Sequence, residues 1–123
     1  MATIYTSAGE AKVVDLIDGV SAVHLDTATA KIGWGTGAGT AAKADTILFT
    51  EAAEARVAGT ATQPLADKNQ WVGTITSASA QTITNAGLLD AATAGNLVIH
   101  GDFTGIALAT GDKIEFTITL EQT

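Results

Sequence analysis

The groups this chain has for chemistry are thirteen carboxylates, two histidines and a set of hydroxyls, with no cysteine at all. The missing thiols exclude disulfides, thiolate metal sites and a cysteine nucleophile. A serine nucleophile needs an exposed elbow of the Gly-x-Ser-x-Gly kind, and no serine here has those neighbours. His24 lies two residues before Asp26, and His100 two residues before Asp102. Neither histidine has a second histidine at i+4 or the glutamate of a zinc-protease helix. A His–Asp pairing is open to both, and the plainer reading is a satisfied surface histidine. The aspartates at positions 15, 18, 26, 45, 67, 90, 102 and 112 are scattered over turn candidates, where aspartate serves its own backbone. None fits the spaced acidic loop that holds calcium.

Gly33, Gly35, Gly37 and Gly39 look at first like a phosphate cradle. That chemistry needs Gly-x-x-x-x-Gly followed at once by Lys and Ser or Thr, and here Lys43 comes too late. A dinucleotide fingerprint spaces its glycines differently, between a strand and a helix. The stretch therefore reads as a loop. No catalytic residue, cofactor site or metal site is expected, and the chain is not expected to be an enzyme. Trp34 and Trp71 remain as candidates for the core, an interface or a stacking platform.

The elements that carry these residues are short. Lys113–Glu121 alternates most clearly: Ile114, Phe116, Ile118 and Leu120 face in, and Lys113, Glu115, Thr117, Thr119 and Glu121 face out. Further strands are expected at 22–25, 31–34, 56–62, 69–76, 81–86, 96–103 and 106–108, with Trp71, Gly73 and Ile75 on one face and a bulge hinted at Gly101. Leu88 and Leu89 are expected in the core. Turns are expected at 26–30, 64–68, 77–80, 90–95 and 110–112, and a loop over 35–46. Asp45 or Thr46 caps a possible short helix running to Ala55. Ala11–Ile17 is read as a strand or, second, a helical turn. The pattern is an all-β chain of about eight short strands with one possible short helix, an antiparallel β-sandwich or jelly-roll-like barrel.

At 123 residues the chain is one domain, long enough to bury its own core. Residues 1–19 stand apart as an edge strand or an arm onto a neighbouring subunit, with Ala2, Thr3, Ile4 and Tyr5 the candidate arm; residues 20–123 form the β domain. The net charge of −7 and the scattered basic residues (Lys12, Lys31, Lys43, Arg56, Lys68 and Lys113) argue against a nucleic-acid surface. No run approaches a membrane helix, and no secretory leader is evident, so a chain made soluble in a cytoplasm is expected. Hydrophobic residues at 46% argue against disorder.

Two longer phrases are familiar together: IGWGTGAGTAAKADTILFTEAAEARVAGT from Ile32 to Thr60, and TITNAGLLDAATAGNLVIHGDFTGIALATGDKIEFTITL from Thr82 to Leu120. They resemble small virion structural proteins of tailed bacteriophages and modules in phage tail-fibre and collar proteins. The likeness leaves out the N-terminal segment, and its motifs are turns and core positions. The resemblance implies a capsid decoration (cement) protein on the virion surface, a homotrimer whose partner is the major capsid protein. The alternative is a tail, collar or fibre component; a cellular glycan-binding module is a third reading. Phe116 joins Trp34 and Trp71 as a candidate core or interface aromatic.

Overall fold

A computed structural model describes residues 2–20 and 24–122. Its elements are β1 (Ala2–Tyr5), α1 (Ser7–Asp18), β2 (Lys31–Gly35), β3 (Val57–Ala58), β4 (Thr60–Leu65), β5 (Lys68–Thr76), β6 (Gln81–Leu89), β7 (Leu97–Leu108) and β8 (Lys113–Glu121). All pairings are antiparallel. The strands form a five-stranded sheet in the order β1-β7-β6-β2-β3 and a three-stranded sheet in the order β4-β5-β8. The all-β sandwich expected from the alternation is the fold.

The two sheets meet over the main core. Ile32, Trp34, Ile83, Leu88 and Ile99 of the large sheet cluster with Trp71 and Ile75 of the small one, all at most 4% exposed. Trp34 and Trp71 are core residues. Each indole N–H is satisfied there, Trp34 Nε1 donating to Glu54 Oε1 at 3.0 Å and Trp71 Nε1 to the Leu25 carbonyl at 2.8 Å. Phe116 sits at the margin of this core, half-buried and edge-on to Trp34 at 6.3 Å between ring centroids. The inward set Ile114, Phe116, Ile118 and Leu120 is as the alternation requires, but every member is only partly buried.

The other face of the large sheet is covered by chain rather than by a sheet. The glycines that recur every second residue belong partly to β2, where a period of two puts them on one face. Segment 48–52 lies against that face: Gly37 N–H donates to the Phe49 carbonyl (2.9 Å), Thr36 N–H to the Thr50 carbonyl (3.0 Å), and Ala52 N–H to the Trp34 carbonyl (3.0 Å). At Gly35 a Cβ would drive into the Phe49 carbonyl oxygen and lie 2.9 Å from Asn85 Nδ2, so only glycine permits the approach. This corrects two expectations. Gly33 lies in the strand expected at 31–34, and Gly35, expected in the loop, is the last residue of that strand. The helix expected from Asp45 or Thr46 to Ala55 is absent, because the backbone of 49–52 bonds across to β2 and Asn85 and Thr50 takes a positive φ.

The helix forms instead at residues 7–18, across the Ala11–Ile17 stretch whose first reading is a strand and second a helical turn. Thr6 caps it, accepting from Gly9 N–H at 3.0 Å through Oγ1, and Glu10 stands in its first turn. Gly19, at φ 73°, ends it in the left-handed conformation that closes the last carbonyls. The candidate arm residues Ala2, Thr3, Ile4 and Tyr5 form β1, the edge strand beside β7 of their own chain.

Smaller differences have local causes. The β4–β5 turn is tighter than expected: Leu65 pairs with Lys68, so Pro64 lies in edge strand β4. Gly101 pairs regularly with Ala86 and Thr3, and the extra residues of β7 fall between Asp102 and Ile106. Of the strand expected at Ala22–Leu25, residues 22 and 23 lie outside the described residues, and His24 and Leu25 are not in a strand. Leu88 and Leu89 are buried, but as part of β6.

Candidate interaction surface

One polar cluster is built on His100, while His24 is exposed, as expected of a surface histidine, and borders the groove beside α1 with Asp26. His100, on β7, is fully buried, which corrects the expectation of a surface histidine. Its partner is not Asp102 but Asp45, Nδ1 lying 2.7 Å from Oδ2, while Nε2 lies 3.0 Å from Asn85 Oδ1. Asn85 is itself held by Phe49, whose N–H donates to Oδ1 (3.0 Å) and whose carbonyl accepts from Nδ2 (3.0 Å). That double bond fixes the amide orientation and leaves an acceptor facing Nε2. Both ring nitrogens therefore lie against side-chain oxygens. The Phe49 ring packs on the imidazole at 4.6 Å.

Such a histidine cannot act on a substrate. It is closed from solvent, both nitrogens are engaged, and the third member of the chain is an amide already committed to backbone. Its work is to hold the 36–56 segment down on the sheet. Other polar contacts do the same. Asp102 Oδ1 accepts from Ala41 N–H (3.0 Å). Arg56 grips Glu51 through Nε (2.7 Å) and Nη2 (2.8 Å), and its Nη1 donates to the carbonyls of Ala91 (2.9 Å) and Ala94 (2.8 Å) in the β6–β7 turn.

Two further carboxylates are spent on structure. Burial alone would raise Glu54, but donors from Ala78 N–H, Trp34 Nε1 and Gln81 Nε2 outweigh it and hold the carboxyl below its ordinary value. Burial would likewise raise Asp90, yet Asn96 N–H, Asn96 Nδ2 and the Lys12 ammonium at 3.1 Å bring it below the ordinary range. The Lys12–Asp90 pair ties α1 to the β6–β7 turn. Among the described residues no group of three histidines or carboxylates is placed to hold a metal ion.

Part of the exposed surface is apolar. Val14, Ile17 and Val20 recur at three-residue spacing along and just beyond α1 and are 55%, 79% and 75% exposed. Beside them runs an open groove of about 590 Å³ between α1 and the small sheet, lined by Val13, Leu16, Leu25 and Leu120 among others. A second cleft, about 170 Å³, opens between β8 and the β1–β7 edge, lined by Phe103, Phe116 and Ile118. Trp71 borders the first groove but is only 3% exposed, and Trp34 only 1%, so neither presents a ring face for stacking.

No helix among the described residues is long and apolar enough to cross a membrane. No protein-family model and no curated protein sequence matches this chain.

Proposed function

We propose that this chain is a non-enzymatic structural protein of a tailed-phage virion, a capsid decoration protein that seats on the head and stabilises it, as a trimer bound to the major capsid protein. The observation that carries the reading is the division of the surface. The buried His100–Asp45–Asn85 chain is used to lock a loop, while the surface carries two largely apolar grooves and an apolar helix stripe. Such features serve contact with other proteins. The resemblance of 32–60 and 82–120 to small virion proteins supports the same role. A protein that binds across several capsid subunits opposes their separation by its own binding free energy, and three linked copies multiply modest contacts.

Purified protein added to expanded heads of the phage that encodes it tests the reading. Binding that raises the temperature at which heads disrupt is expected. Heads that neither bind it nor gain tolerance would overturn the proposal, and antibody label confined to the tail would assign it to a tail or collar component instead.

A further inference from the structure

The small sheet ends in a long, regular strand protected only by its charges. Sheet edges invite pairing with another chain, and folded proteins blunt them by shortness, proline, charged side chains, a break in register or a covering segment. Here β1 has four residues and β3 two. The edge strand β4 carries Pro64 and a register break between Thr62 and Leu65. β8 is neither short, broken nor proline-bearing: nine residues, Lys113 to Glu121, pair with β5 in unbroken register, and among the described residues its other edge carries no strand. Its protection is limited to the charges at Lys113, Glu115 and Glu121. The inward residues Ile114, Phe116, Ile118 and Leu120 stay half-buried, and the cleft by Phe103 and Thr3 opens beside them. The sandwich is short of strands along this side.

We propose that β8 pairs with β8 of a second copy, antiparallel and centred on Thr117. In that register Thr117 faces its own counterpart, Phe116 faces Ile118, Glu115 faces Thr119, and Ile114 faces Leu120. At each end Lys113 faces Glu121, so the contact carries two opposite-charge pairs. Shifting the register by two residues sets Glu115 against Glu121, or strips both lysines of a carboxylate. The charges therefore select this alignment. The pairing joins two small sheets into one of six strands, makes the apolar face continuous and covers the cleft. The contact is two-fold and separate from the three-fold association of the proposed function. It would join copies, or whole trimers, edge to edge.

The test is the mass in solution of the intact protein and of two variants at the symmetry point. Thr117 is exposed, so Thr117→Lys and Thr117→Glu leave the inward face untouched. Each alone sets a charge against itself and is expected to weaken self-association at least about tenfold, while an equimolar mixture pairs again. With 12.4 kDa per copy, light scattering separates the possibilities. A dimer, or a hexamer if the three-fold contact also forms, is expected for the native chain, falling to monomer or trimer in each variant. Lys113→Glu is a second probe, expected to weaken pairing and to be rescued by adding Glu121→Lys. A native chain that is monomeric or trimeric at roughly 100 µM would overturn the proposal, as would variants of native mass or a mixture that fails to re-pair. A clean trimer would overturn the β8 contact alone and leave the decoration reading standing.

Discussion

The two sides of this sandwich are finished differently. On one side of the large sheet, segment 36–56 lies on a glycine-lined face and is pinned by Asp45–His100–Asn85, Asp102 and Arg56. No buried side-chain polar atom among the described residues is left without a partner. On the other side, β8 lays a regular apolar face over the core but leaves it half-covered, with a cleft at its free edge. Polar groups are costly to bury unless paired, so the closed side spends its histidine and carboxylates on pairing. The open side keeps apolar area that only another molecule would cover. His100 thus ends up where nothing can reach it, while His24 is exposed and borders the groove beside α1 together with Asp26.

The sharpest test of how open the β8 side is truncates two rings of the core between the sheets. Trp34→Ala removes a fully covered ring and is expected to destabilise the fold by about 3–5 kcal/mol in denaturant titration. Phe116→Ala, at the half-covered margin, is expected to lose about 1–2 kcal/mol. Equal losses would mean that the β8 margin is as closed as the centre of the core. Next in size is Asn85→Ala, which strips Phe49 N–H and the His100 ring of a shared acceptor. A loss of about 2–3 kcal/mol is expected; a neutral result would deny the clamp its role.

Acid sharpens the picture further. The Asp90 carboxyl is depressed in the folded chain, so its contribution is present above the ordinary carboxylate value and is lost as pH falls toward the lower folded one. Thermal unfolding followed from neutral pH downward should therefore show a falling acid limb that is shallower in Asp90→Asn. Identical limbs would remove Lys12–Asp90 as the tie of α1 to the sheet. The smallest change is expected from Ile17→Ser, within about 0.5 kcal/mol, because the side chain is 79% exposed. A large loss there would mean that the α1 stripe supports the monomer.

The fold was legible where side chains alternate. Lys113–Glu121 and Asn69–Thr76 have the right faces because period two and burial agree there. It was illegible where small or polar residues do the packing. Helix α1 buries Gly9 and Lys12 rather than an apolar stripe, so its run of Val13, Val14, Leu16 and Ile17 resembles a strand; Thr6 and Gly19 were the available signals. Segment 46–55 has helix-forming composition, but its backbone is claimed by β2 and Asn85, partners distant in sequence. His100 meets Asp45 only through the fold, across a separation of 55 residues. Of the candidate residues, Trp34 and Trp71 proved to be core, and the edge character of β8 followed from which strands lack neighbours.

Hydrogen exchange of the protein free and bound to heads tests the central claim most directly. Slowed exchange in the second half of α1, with β8 protected by its own pairing in both states and 46–56 unchanged, is the expected result. Protection concentrated on 46–56, with α1 exchanging as in the free protein, would contradict the assignment of contact to the open side.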